Sequence, residues 1–178
     1  RYNNFTVNSN GLLRFGTSGI SSSQTGNGFP LTAANGAILA PFAGDIRTSG
    51  TGKIHSLVTG NAPNRKCIIE FLNMGLGAGS ITANGTFQVI LNETTGIIQY
   101  IYGGMTIAST PGVSGTESVV IGLSSDNVNT KTLSINHGSF ASNTTIPATK
   151  NNYTTTGNIG SLNSAANGSR REIKFTPP

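Results

Sequence analysis

Lys66-Cys67-Ile68-Ile69-Glu70-Phe71-Leu72, Thr86-Phe87-Gln88-Val89-Ile90-Leu91 and Ile97-Ile98-Gln99-Tyr100-Ile101-Tyr102 decide the fold class. β-Branched and aromatic residues dominate all three runs, and such residues suit a pleated, half-buried surface. Along the middle run Phe87, Val89 and Leu91 share one face, with Gln88 and Ile90 on the other. Between the second and third runs lies Asn92-Glu93-Thr94-Thr95-Gly96. A short loop ending in glycine is the signature of a hairpin with an αL residue or a bulge. The pattern predicts an antiparallel hairpin here, with 67–72 as the neighbouring strand.

Outward from this hairpin the chain is short strands and polar connections. Phe5-Thr6-Val7 and Leu12-Leu13-Arg14-Phe15-Gly16 flank the turn Asn8-Ser9-Asn10-Gly11, which carries Asn-Gly chemistry. Residues 17–30 are Ser/Gly-rich and read as a long surface loop. Ala37-Ile38-Leu39-Ala40-Pro41-Phe42 is a short apolar run that Pro41 is expected to stop. Lys53-Ile54-His55-Ser56-Leu57-Val58 alternates as a strand does. A flexible connection is expected from Gly103 to Gly115, followed by strands at 118–123 and 132–135. Residues 139–168 are nearly all Asn, Thr, Ser, Gly and Ala, which reads as a loosely ordered excursion or an edge held by partner contacts. Arg171-Glu172-Ile173-Lys174-Phe175-Thr176 closes with alternation. About nine or ten short strands separated by turns predict one all-β domain over 1–178. Its expected form is a two-sheet antiparallel β-sandwich, jelly-roll-like, with long polar loops.

Composition agrees. The chain has 178 residues, enough for one domain with a real core, and 24 are glycine. Charged residues make up 10 %, against roughly a quarter in a typical soluble domain. No apolar run approaches the ~18 residues a membrane helix needs. The opening Arg1-Tyr2-Asn3-Asn4-Phe5 already reads as the start of a strand, so a longer native product upstream is expected.

A net charge of +5 comes from eleven basic residues set against six acids. The densest basic clusters are Arg65-Lys66 and Arg170-Arg171 with Lys174. Neither adjoins an aromatic platform for stacking bases, so no nucleic-acid partner is expected. Cys67 is the only cysteine. It alternates with Ile69 and Phe71, which marks a small buried hydrophobe. A nucleophile would want a histidine beside it, and neither His55 nor His137 stands in such an arrangement.

The acids are Asp45, Glu70, Glu93, Glu117, Asp126 and Glu172. Their spacing does not pair two carboxylates for acid–base work, and no enzyme is expected. No cofactor is implied. Calcium is chemically allowed at Asp45, or at Asp126 and Asn127 near Asn129, because it favours oxygen ligands. Neither place has the carboxylate density of a strong site. Sugar binding would use exposed aromatics. The chain has no tryptophan, and Tyr100 and Tyr102 read as packing residues, which leaves Tyr2 and Tyr153.

Four pieces then carry a family resemblance: residues 5–16, residues 38–42, Gly60-Asn61-Ala62-Pro63-Asn64-Arg65, and residues 86–95. Together they resemble a β-sandwich module of large secreted and cell-surface proteins of Bacteroidota, often exported by type IX secretion. The ending Ile173-Lys174-Phe175-Thr176-Pro177-Pro178 is similar to that module's last strand. The resemblance implies an extracellular, non-catalytic module and no particular ligand. Members usually carry a tryptophan and paired acids after the Ala-Pro-Phe motif, where this chain has Ala43, Gly44 and Asp45. They also usually show one or two strands before the Phe5 strand. Their lack would expose a sheet edge, to be filled by the same chain or by another subunit.

The expectation is therefore an extracellular structural or adhesive module at the cell surface, self-assembling into an array or filament. Partners would be further copies or neighbouring surface domains, without membrane insertion. Contact residues would be Tyr2, Phe5, Tyr153, Arg170 and Arg171. The alternatives are a carbohydrate-binding module, calcium-assisted or not, and more remotely an accessory domain of a secreted hydrolase.

Overall fold

The computed structural model describes residues 3–25, 37–48, 50–76, 84–106, 119–125, 132–135, 148–150 and 170–177, and the architecture is that of these residues. Twelve strands follow in order: β1 (Phe5–Val7), β2 (Leu13–Phe15), β3 (Ile38–Ala43), β4 (Ile46–Arg47), β5 (Lys53–Thr59), β6 (Lys66–Leu76), β7 (Asn84–Asn92), β8 (Ile98–Thr106), β9 (Val120–Ser124), β10 (Thr132–Ile135), β11 (Ala148–Lys150) and β12 (Arg171–Phe175). They form two antiparallel sheets. One runs β1-β2-β3-β9-β10-β11. The other runs β12-β8-β7-β6, with β4 and β5 set end to end along the outer edge of β6. The expected two-sheet β-sandwich is the fold found.

Register explains why the sheets face each other. Ile69 pairs Val89, which pairs Tyr100, while Phe71 pairs Phe87, which pairs Tyr102. The period-2 alternation of three strands is thus brought to one face, and all six of these side chains are buried. Phe87 is at the centre. Its ring stacks on Phe71 at 4.5 Å and lies 5.6 Å from Phe42 of the opposite sheet. Burying such a ring is worth roughly 1.5–3 kcal/mol.

Around β3 the first sheet is buried on both faces. Leu13, Leu39 and Phe42 enter the core between the sheets, while Leu12, Ile38, Ala40, Ala43 and Val120 form a second cluster against Ile20. A strand covered on both sides reads as a continuous apolar run, which is why Ile38–Ala43 shows no alternation. Pro41 does not stop it. β3 continues to Ala43 through a register shift between Ala40 and Ala43, and a bulge tolerates a residue without an N–H.

Other boundaries move as well. β6 runs on to Leu76 and β8 to Thr106, so Gly103 and Gly104 lie inside a strand where a flexible connection was expected. β11 is an edge strand inside the polar 139–168 segment, paired with β10; the remainder of that segment falls outside the described residues. The described part of the 17–30 loop is anchored to the first turn. Asn8 Nδ2 donates to the carbonyls of Ser21 and Gln24, and Asn10 Nδ2 to those of Ser22 and Gln24. Gly11 closes that turn with φ +79°, and a Cβ there would lie 2.0 Å from the Phe42 carbonyl oxygen.

Candidate functional site

At one end of the sandwich the two sheets part. Phe5 and Phe15 from β1 and β2 face Val58, Cys67, Leu91 and Ile98 from β5 to β8 across a cleft of ≈ 880 Å³. Asn3, Asn4, Arg65, Glu93 and Thr94 add polar groups to its lining. Its lining is mainly apolar, and the cleft is open to solvent.

Two turns lock the rim. Arg65 Nε donates to Glu93 Oε2 at 2.9 Å and Arg65 Nη2 to Glu93 Oε1 at 2.5 Å, a bidentate pair. The backbones join in: Arg65 N–H donates to Glu93 Oε2, and Glu93 N–H to the Arg65 carbonyl. Thr94 Oγ1 donates to the Pro63 carbonyl. The turn at 61–65 is thereby docked onto the hairpin turn at 92–96, where Gly96 takes the αL conformation, φ +64°. Hydrogen bonding to Glu93, reinforced by its charge, raises the Arg65 pKa, so the guanidinium stays charged.

β5 borders the cleft and is the outer strand of its sheet. Lys53 pairs with Leu72 and each residue follows in register to Thr59 opposite Lys66. Ile54, Ser56 and Val58 are opposite Phe71, Ile69 and Cys67 on the inner face; Lys53, His55, Leu57 and Thr59 take the outer face. Leu57 and Val58 are 60 % and 58 % exposed, and no other large apolar side chain among the described residues is so open. The described strand edge therefore presents one apolar residue on each face. The sequence reading of 53–58 as a strand holds, but two adjacent apolar residues, Leu57 and Val58, end it.

The outer face of the same sheet carries a polar ladder. His55 Nε2 lies 2.7 Å from Glu70 Oε2, and Gln88 Nε2 donates to Glu70 Oε1 at 2.6 Å. One strand pair further along, Gln99 bridges Asn92 and Glu172. Burial disfavours the Glu70 carboxylate, but the hydrogen bonds from Gln88 and His55 and the charges of His55 and Arg170 outweigh it and lower its pKa.

The residues singled out in the sequence are spread out. Phe5 lines the cleft. Arg170 is exposed just before β12, and Arg171 pairs with Tyr102 in the ladder. Asp45 is exposed beside Arg47, at 3.8 Å. Tyr2, Asp126, Asn127, Asn129 and Tyr153 lie outside the described residues. Among the described residues no three His, Cys, Asp or Glu side chains gather as metal ligands would. Tyr100 and Tyr102 are fully buried and bond across the core, as packing residues. Cys67 is half-buried in the cleft wall rather than enclosed, because it lies at the end where the sheets separate.

A family described as NIDO related matches residues 1–177, nearly the whole chain. The chain belongs to the NIDO-related family. Such domains are typically extracellular, and no helix among the described residues is long and apolar enough to cross a membrane. Searches of curated proteins and of solved structures returned no significant match.

Proposed function

We propose that this NIDO-related domain is a non-catalytic structural or adhesive module of a secreted or surface protein, joining copies of itself or neighbouring surface domains into an array. The observation that carries this reading is the open edge of β5, where Leu57 and Val58 stand exposed next to the apolar cleft. An edge strand that pairs only with β6 among the described strands, with no charge over Ser56–Thr59, is a template for another strand. Low overall charge supports the same reading, since repulsion between copies is weak. The motif resemblance to Bacteroidota modules supports a secreted parent protein, with type IX export as its route.

Sugar binding draws no support from the described aromatics, all of which are buried or half-buried. The test is negative-stain electron microscopy with light scattering on native material. Regular assemblies are the expected result; a clean monomer at all accessible concentrations overturns the reading.

A further inference from the structure

A charge is buried on the outer face of the first sheet, away from both the cleft and β5. Leu13 enters the core between the sheets, so its neighbour Arg14 turns to the opposite face. There Arg14 pairs with Ile38, a member of the second apolar cluster, and is only 4 % exposed. A guanidinium offers several N–H donors in a rigid fork. Among the described residues Arg14 makes one hydrogen bond, from Nη1 to the Gly19 carbonyl at 3.0 Å. Its Nε is buried without a partner. The acids of the described residues are engaged elsewhere: Asp45 lies beside Arg47, Glu70 meets His55, Glu93 meets Arg65, and Glu172 accepts from Gln99.

Burying such a charge is costly unless an opposite charge and hydrogen bonds meet it. We infer that the Nε side of Arg14 binds a small monocarboxylate, at a site separate from any contact between copies. Gly19 occupies Nη1. The Nε side of the fork holds two parallel N–H groups, Nε and Nη2, which match the two oxygens of a carboxylate. One positive charge among apolar neighbours balances one negative charge, which favours a carboxylate over a dianionic phosphate. Ile38 and the cluster around it suit a short apolar stem. The way in is beneath the strap 18–25. Among the described residues side-chain hydrogen bonds tie that strap to the sheet, with no backbone ladder; at its near end these are Thr6 to Ser18 and Arg14 to Gly19.

The probe is acetate, with butyrate as the longer acid and chloride at equal ionic strength as the control. In the unmodified protein acetate should raise the unfolding midpoint along a saturating curve, by about 3–6 °C at ten times its dissociation constant. Butyrate should reach half its effect at a severalfold lower concentration, since its stem buries more apolar surface. Calorimetric titration of the same protein should give one site per chain. Arg14→Met keeps the bulk of the stem and removes the charge. In chloride that variant should unfold no earlier than the unmodified protein, because no buried charge is left to offset. Its response to acetate should vanish. A midpoint that climbs without saturating, or climbs equally in Arg14→Met, is a general salt effect and overturns the inference. Early unfolding of Arg14→Met in chloride, with an unmodified protein that ignores acetate, overturns it too and assigns the counter-charge to an acid of this chain. Lack of saturable binding to the unmodified protein is decisive by itself, whether or not the variant folds.

Discussion

The Tyr100 hydroxyl donates across the sandwich to the Gly122 carbonyl in the opposite sheet, 2.7 Å away. Tyr102 does the same to Pro41, whose carbonyl is at the bulge of β3. Burial pushes both phenol pKa values well above their usual range, so each hydroxyl is a permanent donor. These bonds join the two sheets through the core. Tyr100→Phe and Tyr102→Phe keep the ring and remove one cross-sheet bond each. Each should cost about 0.5–1.5 kcal/mol, the net worth of an intramolecular hydrogen bond. Urea unfolding with an unchanged m-value would show it; a loss below about 0.5 kcal/mol would mean that water replaces the bond.

Gly11 and Gly16 both have positive φ, but their surroundings differ. A Cβ at Gly11 overlaps the Phe42 carbonyl oxygen, whereas at Gly16 nothing lies within 4 Å. Gly16→Ala should therefore show backbone strain alone, about 1–2 kcal/mol. Gly11→Ala adds the collision and should cost on the order of 3–5 kcal/mol. Equal losses in the two variants would show that the turn shifts freely away from β3.

How far these features could be read in advance depends on what each residue faces. The hairpin of β7 and β8 was legible because one of its faces is buried and the other wet, and alternation records that contrast. β3 was harder to bound: with both faces covered, Ile38 to Ala43 carries no period, and Pro41 looked like a stop until the bulge gave it a place. β11 hides in a polar stretch because its ladder uses backbone groups, which every residue type supplies. The cleft is a meeting of Phe5 and Phe15 with Val58 and Leu91, and only tertiary pairing brings those positions together. Arg65 and Glu93 lie 28 positions apart, a distance at which no local pattern links two charges. The exposed edge did leave a trace, the adjacent Leu57 and Val58, which alternation alone classed as an ordinary strand end.

Glu70 makes stability sensitive to acid. Its folded pKa is lowered from an ordinary value of 4.5, so the unfolded chain binds a proton more readily than the folded one. The contribution is present above the unfolded value and is lost as pH falls through the folded value. Thermal unfolding followed downward from about pH 5 should show a decline that Glu70→Gln makes shallower. An identical slope in that variant would assign the acid sensitivity to other groups.

Cys67 reports on the cleft from inside. Its thiol is half-buried, and burial raises its pKa. The nucleophile is the thiolate, so at neutral pH a disulfide reagent should react more slowly than with a free thiol of ordinary pKa near 8.5. Raising the pH should speed the reaction, and urea should release it fully. Val58 shares the cleft wall and is exposed on the strand edge that the proposed assembly would use. High protein concentration should therefore slow the reaction further, while Leu57→Lys, on the other face of β5, should weaken that concentration dependence without changing the rate in dilute solution. Fast labelling of the dilute protein would mean that the sheets part wider at this end than Phe5 and Phe15 allow. A rate independent of concentration would separate the cleft from the β5 interface.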